Sequence, residues 1–561
     1  MMSEIAAEYD VIVLGSGAAG LSAAVSTALL GGRVLVIERT EFIGGTSAFS
    51  AATTWIPNTH HAAKVNPDDS PENVLNYLDR AVGNHAPRAM REVFVRRGPE
   101  ALHALEKTPG IEFRPRPFHP DYLYELEGST TCGRALEPEP FDGSLLGEDL
   151  DLLRPPIPEF TILGGMMVDR DDIPHLLKMK TSLKSLIYSL RMVGKYYLQK
   201  ARYGRGTRLL MGNALVGRFL FAARKLGVDM VTQKQVTAIE PQGDNVNRLV
   251  FADGQTVTAT KGVILATGGF GRHPVKRIEM MPHPHPDLSP AAPGHTGELH
   301  DIVLAFGAYY SESAAQPCYW SPVSIRQRED GTMAVFPHFV LDRSKPGILS
   351  VAKDGKRFTN ESRSYHEFVN EMYAANKDGS HIPAYLIADA KALRKYGLGM
   401  VIPGQRNLNS FIDEGYLVTG ATLSELAGKL EIDADGLSTS VARMNEFAKT
   451  GVDEDFQRGE TVYERGNGDA SHGPNPTLGA LTTAPYYAVR LFPGDIGAAK
   501  GLMTNENAQL IRQDGSLIDG LYACGADMNS IMGGVYPGPG ITIGPGIVFG
   551  YIAAHTAMGE E

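Results

Sequence analysis

Short apolar runs that end in glycine-rich turns recur at both ends of the chain. Asp10-Val-Ile-Val-Leu14 is a β-branched run of the kind that forms a strand buried on both faces. Gly15-Ser-Gly17-Ala18-Ala19-Gly20 follows, and Leu21, Ala24 and Leu29 then recur at helical spacing. Gly31-Gly32 ends the helix, and Val34-Leu-Val-Ile37 is a second buried strand closing on Glu38. Residues 9–38 are therefore predicted as strand, helix and strand. Val263-Ile-Leu-Ala266-Thr267-Gly268-Gly269 and Gly520-Leu-Tyr-Ala-Cys-Gly525 repeat the strand-to-small-turn pattern. A proline- and histidine-rich stretch, Met281 to Pro286, and a polar one, Asn467 to Pro474, bracket the middle of the chain. The expected division is 1–275 and 476–561 as one split domain, with 276–475 as a second domain inserted into it.

The first motif carries chemistry. Gly15 permits a tight turn, Gly17 lets the main chain approach a pyrophosphate, and Gly20 lets helix and strand pack closely. The pyrophosphate then sits at the helix N-terminus, where free N–H groups and the helix dipole favour negative charge. Glu38 comes 18 residues after Gly20, a distance that suits a ribose hydroxyl. A site assembled from both chain ends suits a large, permanently bound dinucleotide, FAD rather than NAD.

With Gly44-Gly45-Thr46-Ser47 added, these pieces resemble the FAD domain of the fumarate reductase and 3-ketosteroid dehydrogenase flavoproteins. The resemblance implies an α/β fold: a Rossmann-like FAD-binding domain of the glutathione-reductase type with an inserted α+β catalytic domain. It implies FAD contacts from Gly15, Gly17, Ala18, Ala19 and Gly20, from Glu38 and Arg39, and from Gly45, Thr46 and Ser47. Further contacts are implied from Val236, from Ala266, Thr267 and Gly268, and from Gly525, Asp527, Ile541 and Ile543. Many relatives carry a polar residue where Ala526 stands, so either Asp527 reaches the flavin in its place or that contact is lost. No His-Thr-x-Gly-Gly motif follows the second strand, so the FAD is expected to be non-covalent.

Three tyrosine motifs are more specific. They are Pro120-Asp-Tyr122-Leu-Tyr124 before Gly133-Arg134, Gly355-Lys-Arg-Phe-Thr-Asn-Glu-Ser362 before Tyr365, and Gly533-Gly-Val-Tyr536-Pro-Gly-Pro-Gly540. All three are similar to their counterparts in 3-ketosteroid Δ1-dehydrogenases. The resemblance implies that Tyr536 and the Gly540 N–H hold a substrate ketone, that Tyr365 is the base, and that Tyr122 assists it, with Tyr124 as the alternative helper. Polarising the ketone acidifies the neighbouring C–H, and two donors on one oxygen stabilise the enolate charge. Tyr319-Trp320 and Tyr486-Tyr487 are expected to be wall or packing residues, and Asp121 and Glu361 supports rather than catalytic acids.

Composition changes this picture in one place. The 561 residues carry a net charge of −11, which argues against a general nucleic-acid binder. From Ile173 to Val228, however, there are twelve Lys or Arg and no Asp or Glu, so the remainder of the chain falls from −11 to −23. Leu183, Leu186, Ile187, Leu190, Val193 and Tyr197 recur there at helical spacing among the basic residues. A basic amphipathic helix of this kind either lies in a membrane interface through about 177–208 or caps the protein and pairs with its acidic body. Three dispersed cysteines support neither disulfides nor a zinc site, and no metal is expected. The N-terminus lacks the pattern of a signal peptide and no apolar run is long enough to span a bilayer, so the expected location is cytoplasmic, with peripheral membrane contact as the open question.

The expected activity is FAD-dependent oxidation of C1–C2 in a 3-keto-steroid, with an unidentified electron acceptor. Three alternatives stay open at this point: a fumarate-reductase-like enzyme, a Δ4-(5α)-ketosteroid dehydrogenase, and a membrane-associated flavin-binding scaffold.

Overall fold

The computed structural model describes residues 5–560 apart from 286 and 341. Met1 to Glu4 of the N-terminal segment and Pro286 of the His-Pro stretch therefore lie outside the described residues. The N-terminal prediction is met: β1 (Glu8–Leu14), α1 (Ala18–Leu29) and β2 (Val34–Ile37) follow in order. β1 pairs in parallel with β2 on one side and with the strand Thr256–Leu265 on the other. Asp229–Val231 extends the parallel sheet beyond β2, and Leu517–Ala523 joins it beside Thr256–Leu265. The strands Thr256–Leu265 and Leu517–Ala523, which both end in small-residue turns, thus lie side by side although they are far apart in sequence. Val11 to Leu14 and Val34 to Ile37 are buried on both faces, which is why they read as unbroken apolar runs. The C-terminal helix Ile543–Met558 packs against α1, and Gly550 sits so close to Ala19 that a Cβ there would lie 2.5 Å from its carbonyl oxygen.

A second, six-stranded sheet holds Cys318–Gln327, Met333–Pro337, Ile348–Val351, Ala384–Asp389, Val418–Gly420 and Tyr486–Ala498. Its last strand pairs with Cys318–Gln327 on one edge and Ala384–Asp389 on the other. This moves the expected boundaries. Tyr486–Ala498 belongs to the inserted sheet, although the expected return point was 476. At the other end, Val303 and Ala308 pack in the core of the first sheet, although the inserted domain was expected to begin at 276. Sequence composition marked the irregular loops near 281 and 470, but the sheets change over elsewhere, because backbone pairing rather than loop polarity defines them.

Two helices, α2 (Pro71–Val82) and α3 (Arg88–Glu106), precede the charged stretch, which forms α4 (Asp172–Leu177), α5 (Leu183–Tyr203) and α6 (Met211–Lys225). No helix among the described residues is long and apolar enough to cross a membrane.

Candidate active site

The glycine turns converge as a cradle. Gly15 has φ +105°, and a Cβ on it would lie 2.2 Å from the Ala266 carbonyl oxygen; on Gly20, 2.1 Å from the Gly15 oxygen. Only glycine fits either place, so two β-turns from distant segments share one seam. The N-terminus of α1 has no side-chain cap from Gly17 and no acid in its first turn. Ser47 Oγ accepts the Ala18 N–H at 3.0 Å, and Gly45 and Gly525 face the same end. A Cβ on Gly17 would meet only Ser47 Oγ, at 3.5 Å, and this approachable helix start suits an anionic pyrophosphate.

Other predicted FAD residues fall around this cradle with different roles. Glu38 is buried and already accepts from Ser16 and from the Thr40 N–H and hydroxyl, so a ribose hydroxyl would share that carboxylate. Arg39 is turned outward to Glu298 at 2.9 Å. Thr46 Oγ1 accepts the Ala292 N–H and lies 3.1 Å from His295 Nε2. Val236 is buried at a strand start, and Ile541 is buried just ahead of the C-terminal helix that Ile543 begins.

Asp527 departs from expectation. Its carboxylate accepts from Thr267 N–H, from Thr267 Oγ1 at 2.9 Å, from Gly269 N–H at 2.8 Å and from His300 Nε2 at 2.8 Å. It is fully buried and ties the Thr267–Gly269 turn to His300 instead of presenting a free carboxylate to a flavin. Burial opposes its ionisation, but His300 and the turn's donors overcome this and hold it below the ordinary range. His295, which sequence reading missed, lies against Gly268; burial pushes its pKa down to about 4, so the ring is neutral.

The tyrosines meet. Tyr122 and Tyr365 hydroxyls are 3.3 Å apart. Tyr536 stacks on Tyr122 with ring centroids at 5.5 Å and meets Tyr365 edge-on at 5.2 Å. Tyr124 makes no ring or side-chain hydrogen-bond contact with Tyr365 among the described residues, which favours Tyr122 over it. Tyr319 joins edge-on to Tyr536 at 5.1 Å, while Tyr486 and Tyr487 lie on the inserted sheet away from the array. Two members escaped sequence reading: Tyr463, tilted against Tyr122 at 4.8 Å, and Phe339, edge-on to Tyr365 at 4.9 Å.

Local structure explains each placement. Tyr365 opens the helix Tyr365–Ala375, whose N-cap is Ser364. Glu361, four residues earlier, is buried against Arg357 at 2.8 Å and Arg458 at 3.1 Å and accepts the Ser350 N–H. This makes the Asn-Glu motif an anchor for the segment that carries Tyr365. Asn360 donates to Glu464, the neighbour of Tyr463, and so links the same motif to a second phenol. His366 donates from Nε2 to Gly534 O at 3.0 Å, and its Nδ1 accepts the Trp320 N–H; burial lowers its pKa to about 3, which keeps it in this neutral form. Tyr122 N–H donates to Pro537 O at 2.8 Å, which binds the first tyrosine loop to the last. Gly540 has φ +90°, and a Cβ there would lie 2.2 Å from Thr53 O. No acceptor among the described residues takes its N–H.

All three phenols are held in the neutral form. Burial raises each of them, and the neighbouring phenols add to the rise at Tyr122 and Tyr365. An unpaired N–H, three phenols and an aromatic wall can bind one carbonyl oxygen and move a proton beside it.

Fold and site together define an FAD-dependent oxidoreductase. Residues 10–543 match the family model described as FAD binding domain. The chain is 34% identical over 563 residues to a 3-oxosteroid 1-dehydrogenase of Mycobacterium tuberculosis, covering 98% of each. It is 35% identical over 549 residues to a 4-oxocyclohex-2-ene-1-carboxylate 5-dehydrogenase of Sinomonas cyclohexanicum, covering 97% of this chain and 92% of that one. The solved 3-ketosteroid delta1-dehydrogenase of Sterolibacterium denitrificans, in complex with 1,4-androstadiene-3,17-dione, superposes with a TM-score of 0.91 at 31% identity, covering 99% of this chain and 100% of that one. The chain belongs to the FAD-binding flavoprotein family that contains the 3-oxosteroid 1-dehydrogenases.

The Glu361 anchor has a pH signature. Burial alone would raise Glu361, but Arg357 and Arg458 hold it at about 2 against an ordinary 4.5. The unfolded chain then binds the proton first, so stability is present above pH 4.5 and is lost as pH falls from 4.5 toward about 2. Denaturant unfolding across that window should show the loss in the wild type and a shallower one in Glu361→Gln; identical slopes would contradict the assignment.

Proposed function

We propose that the protein is a 3-ketosteroid Δ1-dehydrogenase that removes hydrogen from C1 and C2 of a 3-keto-steroid. The observation that carries this reading is the tyrosine array: three phenols from three distant segments in mutual ring contact, on a loop whose Gly540 N–H is unpaired. The ketone oxygen accepts from Tyr536 Oη and from the Gly540 N–H, so charge developing on that oxygen meets two fixed donors. Tyr365 Oη takes the C2 proton. Its own hydroxyl proton passes to Tyr122 Oη as that proton arrives, and half-buried Tyr122 releases its proton to solvent, so every phenol ends neutral and no isolated buried phenolate has to persist. Bound FAD supplies the hydride acceptor for C1. The cradle at Gly15 to Gly20 and the N-terminus of α1 would hold its pyrophosphate, and Asp527 would act through the Thr267–Gly269 turn it clamps. The attachment is non-covalent, as the Gly44-Gly45-Thr46-Ser47 sequence supplies no histidine for a bond.

A second substrate reading shares this chemistry: a small oxocyclohexane carboxylate. Arg170 favours it, since its charge reaches both Tyr122 and His119. Against it, no Lys or Arg makes ring or hydrogen-bond contact with Tyr122, Tyr365 or Tyr536 among the described residues, and an unpaired carboxylate in an aromatic box would be costly. Anaerobic addition of a 3-keto-4-ene steroid should bleach the yellow holoenzyme rapidly, and 4-oxocyclohexanecarboxylate should not; the reverse order would establish the second reading. With the steroid, Tyr365→Phe should cost at least about 100-fold in kcat while FAD stays bound. A near-normal rate would remove Tyr365 from the base role.

The helical pair α4–α5 is proposed as a peripheral contact for an anionic membrane surface. Leu183, Leu190 and Leu198 of α5 are 72%, 59% and 74% exposed, and Ile187 and Tyr197 are exposed beside them. The buried residues of α5 are instead Ser185, Ser189 and Tyr196, while Leu186, Met192 and Val193 are half-buried, so the exposed leucines form an outer apolar face. Among the described residues Lys184, Arg191, Lys200 and Arg202 make no ion pair with a carboxylate, which disfavours pairing with the acidic body. Exposed leucines flanked by free cations match lipid tails and anionic headgroups. In co-sedimentation, phosphatidylglycerol vesicles should carry down the wild-type protein and phosphatidylcholine vesicles much less. The Leu183→Ser/Leu190→Ser/Leu198→Ser variant should stay in solution with both. Equal partitioning of the two proteins would contradict the proposal.

A further inference from the structure

Outside the tyrosine array, one cluster of metal-ligating side chains stands apart. His60 and His61 lie on an irregular segment that passes over the last turn of α3 (Arg88–Glu106). His60 Nε2 is 3.0 Å from Glu106 Oε2, and His61 Nε2 is 2.9 Å from both Glu106 oxygens. One ligand atom from each of the three lies within 4.8 Å of the others. His103 precedes Glu106 by three residues on α3 and so shares its face; its ring meets that of His60 edge-on at 5.6 Å. Three imidazoles and a carboxylate thus crowd one point of the surface.

We propose that His60, His61 and Glu106 bind a divalent transition-metal ion, with Zn²⁺ the best match, and that His103 swings in from the same helix face to complete the set. The donor set is the first argument. Imidazole nitrogen and carboxylate oxygen are intermediate ligands that suit zinc and its neighbours rather than Ca²⁺ or Mg²⁺, which take mainly oxygen. Spacing is the second. Tetrahedral zinc with bonds of about 2.0–2.1 Å separates its ligand atoms by roughly 3.3 Å, so separations of 2.9 and 3.0 Å need only a small outward shift. Access is the third. His60 and His103 are exposed while His61 is buried, so an ion enters from solvent onto a side chain already held in place.

The surroundings accommodate the ion. Glu106 Oε1 accepts the Phe113 N–H at 2.9 Å, which orients the carboxylate and leaves Oε2 for the metal. Lys64 Nζ lies 3.5 Å from His61 Nδ1; it is exposed, so its stem can swing into solvent when that nitrogen carries the proton of a bound imidazole. The ion would cross-link the segment at residues 60–61 to α3. A few residues on, the same segment supplies Asn66, which donates to Thr130 Oγ1, and Asp69, which pairs with Arg134 beneath the Tyr122 loop. A bound ion therefore stiffens the chain that leads to the support of Tyr122, without touching the reacting groups.

The test uses FAD-loaded, full-length protein freed of any histidine tag, washed with chelator and titrated with Zn²⁺ by calorimetry and by metal analysis after dialysis. The expected result is one ion per chain and a higher thermal midpoint with Zn²⁺ than with Mg²⁺. His60→Ala and His103→Ala change exposed side chains and should fold normally; His60→Ala should weaken binding at least tenfold, and His60→Ala/His61→Ala should abolish it. Absence of saturable binding at micromolar Zn²⁺ would overturn the proposal and leave an ion-free hydrogen-bonded cluster. Unchanged affinity in the His60→Ala/His61→Ala protein would overturn it equally, by placing the ion elsewhere.

Discussion

The active site depends on one buried carboxylate, Asp121, and the three donors that converge on it. Trp55 Nε1 donates to one oxygen at 2.9 Å; Arg134 and the Thr130 N–H share the other at 2.8 and 3.1 Å. Arg134 is held in turn by both oxygens of Asp69 at 2.8 Å and by the Gly128 carbonyl. Each of these side chains is at most 2% exposed, so removing Arg134 would leave two buried carboxylates without their cation, typically at a cost of about 3–5 kcal/mol. The residue after Asp121 is Tyr122. Its N–H reaches Pro537 O, and the Tyr77 hydroxyl donates to that same carbonyl at 2.6 Å. Trp55 lies against Gly538 and Gly544, where a Cβ would meet it at 2.7 and 2.0 Å. A single charged network therefore sets both the helper phenol and the loop that carries Tyr536 and Gly540. The glycines of that loop exist because tryptophan and main chain occupy the space a side chain would need.

Much of this was legible in sequence where the signal is local. β1, α1 and β2 fall within thirty residues, and their pattern of apolar runs and glycines is dictated by parallel pairing and phosphate-sized turns. The three tyrosine motifs were legible through resemblance, and the structure brings Tyr122, Tyr365 and Tyr536 into contact. What sequence could not supply were contacts made by isolated residues. Tyr463 and Phe339 sit in segments with no motif of their own, and only the packing of Glu464 on Asn360 places Tyr463. Asp527 was recognised as a polar residue near the flavin turns, but its direction was not, because His300, which takes up one of its oxygens, is 227 residues away. The strand Tyr486–Ala498 follows a polar stretch, and its pairing with Cys318–Gln327 and Ala384–Asp389 rests on partners far off in sequence.

Surface features show the opposite balance. Charge and periodicity drew attention to α5, yet Leu183, Leu190 and Leu198 face outward and its serines inward, an inversion visible only in three dimensions. His60, His61, His103 and Glu106 had no spacing that suggested a site, since α3 and the segment above it meet only after folding. Both lie outside the tyrosine array, which needs neither for its geometry.

The central claim is that Tyr365 takes the proton next to a ketone held by Tyr536 and Gly540. Proton removal can be isolated from oxidation by using enzyme whose flavin has already been reduced, so that no net turnover occurs. A 3-ketosteroid carrying deuterium at C2 is then incubated with it in ordinary water, and loss of deuterium is followed by mass spectrometry. The account predicts wash-out by the wild type well above the buffer rate, and wash-out at the buffer rate with Tyr365→Phe. Exchange by Tyr365→Phe at the wild-type rate would contradict it.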